Sequence, residues 1–158
     1  MTPSKIDGLG IAMVAHDRMK PALADWASGY AEMLARHRLF ATGTTGGLLS
    51  DTMPDLSITA FESGPLGGDL QIGAKVVDGE IDVLIFFVDP LTPQPHDVDV
   101  KALIRIATLY GTPLACNAAS ADALMSTPWM RGLTGFVRQP SPFLERYRNR
   151  TIPQGDAA

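Results

Sequence analysis

The sequence predicts an α/β protein with a parallel sheet of five strands and helices on both faces. Three observations point to this class. Short apolar runs alternate along the chain with segments of helical periodicity, which is the pattern of repeated βα units. Residues 83–87 (VLIFF) are apolar at every position, as in a central strand covered on both faces. Polar or glycine-rich loops follow the apolar runs.

Each element has its own signal. Five apolar runs predict strands at residues 11–15, 39–42, 58–61, 83–87 and 113–117. Residues 20–36 carry apolar side chains near the i, i+3, i+4, i+7 spacing of one helical face and predict a single helix. Residues 97–110 show the same spacing, and Gly111 and Pro113 end that helix. Shorter helices are predicted at residues 46–53, 68–78 and 121–126.

Composition excludes several classes of protein. The 13 basic and 17 acidic residues include no basic cluster, which argues against a nucleic-acid partner. No apolar stretch approaches the roughly 18 residues of a membrane span, and residues 1–9 lack the pattern of a secretory signal. Cys116 is the single cysteine and makes neither an internal disulfide nor a cysteine-based zinc site.

A cytoplasmic protein of one domain is the expectation that remains. At 158 residues the chain is long enough to bury a substantial core. We predict one domain over residues 1–151 and a disordered tail over residues 152–158. In such a sheet, ligands bind beyond the carboxyl ends of the strands, so functional residues are sought in the loops there.

The loop after the second predicted strand has the composition of a phosphate cradle. In residues 42–46 (TGTTG), Gly43 lets the backbone approach an anion, and the hydroxyls of Thr42, Thr44 and Thr45 add donors. The following helix N-terminus supplies positive potential. The loop is neither a Walker A motif nor a dinucleotide fingerprint. An ordinary turn in which a threonine caps the helix is the alternative.

The loop after the first predicted strand offers a cation. Lys20 follows His16 by four residues and falls in the first helical turn, where a positive charge opposes the helix dipole. Helix stability therefore does not explain this lysine, whereas a phosphate would. A solvated surface lysine is the alternative.

Two further loops carry candidate acid–base residues. Asp69 follows a flexible GPLGG segment and is either a general base with a raised pKa or a helix cap. His96 precedes the 97–110 helix, whose N-terminus disfavours imidazolium, so a neutral ring could polarise a ketone. Asp97 suits the N-cap position and Asp99 the first turn. His37, at a helix end, is predicted to be a favourable C-terminal charge.

Other chemistries have weak signals. His16, His96, Asp97 and Asp99 have donor atoms suited to metals, but the sequence shows no paired ligand spacing, so we predict no metal site. Ser63-Gly64 does not form a nucleophile elbow, and Cys116 ends an apolar run like a small buried hydrophobe.

Together these loops resemble the methylglyoxal synthase family over roughly residues 10–126. The segments that carry the resemblance are VAHD with Lys20, ATGTTG (41–46), SGPLGGD (63–69), QIGA (71–74), IDVLIFF (81–87), DPL (89–91) and PHDVDVKAL (95–103). The threonine loop alone is shared with regulatory domains such as those of carbamoyl-phosphate synthetases. The combination of GGD with DPL and PHD is more discriminating.

The resemblance implies a three-layer α/β/α sandwich around a mostly parallel five-stranded sheet. It also implies conversion of dihydroxyacetone phosphate to methylglyoxal and inorganic phosphate without a cofactor, in a homohexamer inhibited by phosphate. By the same resemblance Asp69 is the catalytic base, His96 is catalytic and Asp99 supports catalysis. The implied substrate contacts are His16, Lys20, Thr42, Gly43, Thr44, Thr45, Ser63, Gly64 and His96, with Asp17 beside the site.

The C-terminal part departs from the family pattern. Members often place an arginine near the phosphate, and Arg146, Arg148 and Arg150 are three candidates between which the match does not choose. Two other activities remain as alternatives. A metabolite-sensing module would keep the threonine loop but has no use for Asp69, His96 and Asp99 together. A sugar-phosphate isomerase would share the enediolate step and differ only in its product.

Overall fold

A computed structural model describes residues 8–150, and its centre is one sheet of five parallel strands. The strands are β1 Gly10–Ala15, β2 Arg38–Thr42, β3 Ile58–Phe61, β4 Val83–Phe87 and β5 Leu114–Ala115. Their order across the sheet is β3-β2-β1-β4-β5, and every neighbouring pair is parallel. The predicted five-stranded parallel sheet is thereby confirmed.

The two central strands alternate their side chains between two cores. Ile11 and Met13 of β1 and Val83 and Ile85 of β4 belong to one cluster. Their neighbours Ala12, Val14, Leu84 and Phe86 belong to the other. Both strands are buried at every position, which explains why β4 is apolar throughout its length.

Helices cover both faces, as the three-layer prediction requires. On one face lie α1 Lys20–Ser28, α2 Ala31–Leu34, α3 Gly43–Thr52 and α6 Ala118–Met125, which contribute Leu23, Leu34, Leu49 and Met125 among others to the first core. On the other face lie α4 Gly68–Val77 and α5 Asp97–Tyr110, which contribute Ile72, Val76, Val100 and Leu103.

The predicted single helix over residues 20–36 is wrong. A 3₁₀ turn, Asp17–Met19, precedes α1, and the chain breaks at Gly29 before the short helix α2. Glycine and the aromatic Tyr30 are poorer helix formers than their neighbours, and the apolar periodicity continues across this break. The hydrophobic spacing therefore predicts which side of this segment is buried but not the break in the helix at Gly29.

Two further elements differ near the C-terminus. The predicted last strand includes Asn117, but the Asn117 side chain accepts a hydrogen bond from the Ser120 amide and caps α6. This cap starts α6 three residues early and shortens β5. The helix α7 Pro142–Arg148 was not predicted; the Ser141 hydroxyl accepts from the amide of Phe143 at its start.

His37 does not carry the predicted helix-end charge. It is buried, and its Nδ1 accepts a hydrogen bond from the Leu9 amide at 3.2 Å. An imidazolium would have a proton at that nitrogen, so His37 is a neutral ring that fixes the entry to β1. The predicted tail at 152–158 lies outside the described residues, as do both ends of the predicted domain over 1–151.

The strand order reverses between β1 and β4, which places the loops after these strands beside each other. The first connection leaves β1 toward β2, whereas β4 lies on the opposite side of β1. The carboxyl ends of both strands therefore border a crevice, the usual ligand position in such sheets. No helix in the described part of the chain is long and apolar enough to cross a membrane.

Candidate active site

A cleft of about 310 Å³ opens at this edge of the sheet. Loops that follow β1, β2, β3 and β4 all contribute to it. Of the sequence-predicted site residues, it brings together His16, Asp17, Lys20, Thr42, Thr44, Thr45, Ser63, Gly64, Asp69 and His96. Gly43 and Asp99 do not line it.

Lys20 lies at the start of α1 and points its ammonium group across the cleft. Its Nζ donates to Asp17 Oδ1 at 2.5 Å and also contacts the Thr44 hydroxyl. The hydrogen bond from Lys20 lowers the pKa of Asp17, whose side chain is 90% exposed. Lys20 is thus held against the threonine loop, as a phosphate ligand would be, rather than extended into solvent.

The threonine loop presents an uncapped helix N-terminus. Thr42 occupies the N-cap position of α3, but its side chain makes no capping hydrogen bond, so the capping alternative does not hold. The Thr45 hydroxyl is buried and has no hydrogen-bond partner among residues 8–150. The first amides of a helix lack intrahelical partners. These groups together can receive an anion.

Gly43, predicted as a substrate contact, joins two loops through its backbone. Its amide donates to the Glu62 carbonyl at 3.2 Å and is therefore not available to a phosphate. A Cβ at this position would lie 2.9 Å from the Ser63 amide nitrogen. The glycine thus lets the loops after β2 and β3 lie against each other.

Asp69 is a buried carboxylate in the first turn of α4. It is 1% exposed, and neither oxygen has a hydrogen-bond partner among the described residues. Gly67, with φ of 101°, is the N-cap of this helix, so Asp69 is not the capping residue. Its side chain instead lines the cleft.

The ring of His96 lies next to Asp69. Nε2 of His96 is 3.4 Å from Oδ2 of Asp69, longer than an ordinary N–H···O bond. Burial raises the pKa of Asp69, the charge of His96 partly opposes this, and Asp99 raises it further. A carboxylate with a raised pKa and no hydrogen bonds is a reactive proton acceptor.

His96 is itself the N-cap residue of α5, which corrects the assignment of that position to Asp97. Asp97 is the first helical residue, and the His96 side chain makes no capping hydrogen bond. Asp99 lies in the first turn, as predicted, and acts on Asp69 through its charge rather than by lining the cleft.

Gly64 makes the position of His96 possible. A Cβ on Gly64 would lie 2.7 Å from Nε2 of His96, closer than real side chains approach. The imidazole therefore occupies the volume that any larger residue would fill. Glycine at this position permits the contact between His96 and Asp69.

His16 follows β1 and is almost fully buried in the wall of the cleft. Its Nδ1 accepts a hydrogen bond from the Asp89 amide at 2.9 Å. Its ring packs edge-on against Phe86 and His96, with centroids 5.2 and 5.8 Å apart. Burial lowers the pKa of His16, and the charge of His96 lowers it further.

Sequence reasoning missed part of the cleft wall. Pro65, Gln94 and Pro95 line it although none of them is among the predicted contacts. Pro65 and Pro95 belong to the SGPLGGD and PHDVDVKAL segments, and Gln94 directly precedes the second, so these segments were the available signal. The contact between the Asp89 amide and His16 joins two loops distant in sequence, and no local pattern encodes it.

The three candidate arginines lie elsewhere in this chain. Arg146, Arg148 and Arg150 stack on Phe143, Tyr110 and Tyr147 respectively. None of them lines the cleft. Among the described residues no group of three or more His, Cys, Asp or Glu side chains is arranged to hold a metal ion.

The fold and the site together define a class. This is a parallel α/β protein with a threonine-rich loop, a lysine, a buried carboxylate and two imidazoles in one cleft at the carboxyl edge of its sheet. Such a set suits acid–base chemistry on a small phosphate ester.

Comparison with known proteins identifies the family within this class. The MGS-like domain family matches residues 22–116. A methylglyoxal synthase from Coxiella burnetii is 51% identical over 142 residues, covering 90% of this chain and 96% of that protein. One from Rhizobium rhizogenes is 56% identical over 120 residues, covering 76% and 95%.

A solved structure agrees with the sequence relatives. The crystal structure of methylglyoxal synthase from Elizabethkingia anophelis NUHP1 matches with a TM-score of 0.84 and 40% identity, covering 96% of this chain and 97% of that one. The chain belongs to the methylglyoxal synthase family, and the family and fold predicted from its sequence are confirmed.

Proposed function

We propose that this protein is a methylglyoxal synthase, a lyase that eliminates phosphate from dihydroxyacetone phosphate without a cofactor. The observation that carries the assignment of roles is the position of Asp69. It is a buried carboxylate without hydrogen bonds, 3.4 Å from an imidazole and in the same cleft as Lys20 and the threonine loop. A site that only bound phosphate would gain nothing from burying a carboxylate without hydrogen bonds there.

Substrate binding uses the phosphate. Lys20 and the hydroxyls of Thr42, Thr44 and Thr45 receive the phosphate dianion, and the N-terminus of α3 adds positive potential. Ser63 and Gly64 bound the cleft between this anion site and Asp69. The phosphate thereby positions the carbon chain toward the carboxylate.

Proton abstraction is assigned to Asp69. Its carboxylate removes a proton from the hydroxyl-bearing carbon, and the electron pair of that bond moves to the carbonyl oxygen to give an enediolate. His96 donates a hydrogen bond to the developing oxyanion. The raised pKa of Asp69 brings its basicity closer to that needed for a carbon acid.

Elimination completes the reaction. The hydroxyl on the carbon that lost its proton becomes the aldehyde carbonyl, the C=C electrons shift toward the neighbouring carbon, the C–O bond to phosphate breaks, and the enolate of methylglyoxal forms. Phosphate leaves into the donors that held it in the substrate and takes the hydroxyl proton, and the enolate takes a proton on its terminal carbon to become methylglyoxal. Breaking this bond requires it to stand roughly perpendicular to the enediolate plane, which rigid loops on a sheet can enforce.

The decisive experiment measures both products and the role of Asp69. Purified protein with dihydroxyacetone phosphate should release phosphate and methylglyoxal at equal rates. Asp69→Asn should lower kcat by about 10³-fold or more because the base is lost. Asp78→Asn, the same change at the exposed end of the same helix, is the matched control and should leave the rate unchanged.

Two outcomes would contradict this proposal. Formation of glyceraldehyde phosphate without free phosphate would indicate an isomerase. Near-normal turnover by Asp69→Asn would remove Asp69 from the role of base.

Assembly, location and inhibition are also part of the proposal. We propose a cytoplasmic homohexamer in which inorganic phosphate competes with substrate, and a neighbouring subunit supplies Arg146, Arg148 or Arg150 to the anion site. Lys20 is the one lysine or arginine that lines the cleft within residues 8–150, which supports a contribution from outside this copy. Light scattering after size-exclusion chromatography should give six times 16.9 kDa. A monomer with full activity would contradict this assembly.

A further inference from the structure

The hydrogen bond at Nδ1 of His16 fixes where the ring carries its proton. A backbone amide can only donate, so Nδ1 must accept the bond that Asp89 offers at 2.9 Å. A neutral imidazole carries one N–H, which must then be on Nε2. Protonating Nδ1 would break this contact and set two N–H groups against each other.

The Asp89 amide is held in place by its own side chain. Asp89 Oδ1 accepts hydrogen bonds from the amides of Leu91 and Thr92 at 3.1 and 3.2 Å. Hydrogen bonds from Thr92 and from the amide of Leu91 lower the pKa of Asp89, so that its carboxylate stays ionised. The turn after β4 is thus closed around this carboxylate.

Packing fixes the ring as firmly as the hydrogen bond does. His16 is 5% exposed, and the rings of Phe86 and His96 contact it at nearly right angles. Nε2 has no hydrogen-bond partner among the described residues, although His16 lines the cleft. A buried N–H without a protein acceptor is costly unless a ligand supplies one.

We propose that Asp89 is a positioning residue: its carboxylate shapes the turn so that its amide holds His16 as a neutral imidazole protonated on Nε2. His16 is then a fixed donor to a carbonyl or phosphoryl oxygen of the substrate. This inference rests on the proposed function for its substrate. Under this proposal, His16 donates a hydrogen bond to the substrate but cannot accept a proton from it. Asp69 is then the group that removes the proton from the substrate carbon.

Charged groups surround His16 from several elements. His96 opposes protonation of His16, whereas Asp17, Asp89 and Asp97 favour it. Burial outweighs the three acids and holds the pKa of His16 below its usual range. The neutral form therefore persists at pH values where an exposed histidine would begin to charge.

Nuclear magnetic resonance of protein labelled with ¹⁵N in histidine tests the proton position directly. The chain has three histidines, so single replacements assign each ring. We expect His16 to show the Nε2–H form alone between about pH 6 and 8. A ring that becomes imidazolium in this range, or that carries its proton on Nδ1, would overturn the proposal.

Variants of Asp89 test its part. Asp89→Ala removes the acceptor for the Leu91 and Thr92 amides, so His16 should titrate or exchange tautomers, and kcat should fall about tenfold to a hundredfold. Asp89→Asn keeps an oxygen acceptor and should restore the Nε2–H signal and most of the rate. An unchanged His37 signal would show that the fold is intact, because His37 binds the distant Leu9 amide.

The two proposals fail in different ways. A wild-type protein that releases no phosphate but keeps His16 as Nε2–H would disprove the function and leave the tautomer assignment standing. An active enzyme in which Asp89→Ala changes neither the His16 signal nor kcat would disprove the role of Asp89 alone.

Discussion

At the scale of single residues, Asp69 shows a conflict between stability and activity. Its two oxygens are buried without hydrogen bonds, and burial raises its pKa. A carboxyl group whose pKa is raised by folding binds its proton more tightly in the folded state. The buried carboxylate therefore costs folding free energy that increases as the pH rises above the pKa of the unfolded chain.

Asp69→Asn should therefore stabilise the protein while inactivating it. Below about pH 4 both the native carboxyl and the amide are neutral, so the two melting temperatures should be close. As the pH rises through the raised pKa, the variant should melt progressively higher than the wild type. Calorimetry from pH 4 to 8 measures the difference between the two melting temperatures. A difference that stays constant or changes sign with pH would contradict a cost of burying the Asp69 carboxylate.

At the scale of elements, the loop carrying Gly64 and the start of α5 must fit each other closely. Gly64→Ala places a Cβ 2.7 Å from Nε2 of His96, so the ring must move. We expect kcat to fall about a hundredfold, since displacements of about 1 Å in a catalytic group have effects of that size. Steady-state kinetics with dihydroxyacetone phosphate measures the loss.

Gly47→Ala provides the matched control. Gly47 lies exposed within α3, and a Cβ there would meet nothing within 4 Å. Alanine favours helix by up to about 1 kcal/mol over glycine, so this variant should be slightly more stable and equally active. Equal losses in both variants would show that the effect of Gly64→Ala is not specific to His96.

Local patterns predicted most of the elements but not their contacts. The buried strand Val83–Phe87 and the helix Asp97–Tyr110 occur with the predicted bounds. The strand is buried on both faces and is therefore apolar throughout, whereas the helix is buried on one face and therefore carries apolar residues at helical spacing. The helix break at Gly29 and the cap at Asn117 depend on a few polar or small residues within a continuing pattern. Helix α7 buries only Leu144 and shows no clear apolar stripe.

The candidate site was predictable as a set of loops rather than as a geometry. Parallel strands bring their carboxyl ends to one edge, and this was enough to group His16, Lys20, Asp69 and His96. The distance between Asp69 and His96 depends on how α4 packs against α5. The hydrogen bond between the Asp89 amide and His16 depends on how β1 pairs with β4. Neither depends on local sequence, so neither could be predicted from it.

At the scale of the whole molecule, a buried ion pair ties the C-terminal segment to the sheet. Arg138 contacts Asp82 at 3.1 Å and donates to the carbonyls of Ile81 and Val76 at 2.7 and 3.3 Å. Asp82 in turn accepts from the Gly10 amide at 2.9 Å, at the start of β1. This network lies at the opposite edge of the sheet from the cleft.

Removing the arginine should destabilise the fold without altering chemistry. Arg138→Met removes the 3.1 Å contact with the buried Asp82 carboxylate, which keeps Arg38 at 3.9 Å and the Gly10 amide, and should cost about 2 kcal/mol. Urea denaturation should show this as a lower midpoint, whereas kcat of the folded enzyme should be unchanged. Arg105→Met, at an exposed position on α5, should have little effect on the midpoint. Equal urea midpoints for the Arg138 and Arg105 variants would contradict the structural role of this network.

In the proposed mechanism, the pairing of Lys20 with Asp17 bears on how long product phosphate stays bound. An arriving anion must share or displace an aspartate that already neutralises the ammonium group, so part of its Coulombic gain is offset. Weaker retention shortens the dwell time of inorganic phosphate after each turnover. In the proposed mechanism, this internal counter-ion therefore favours release of phosphate over tight retention.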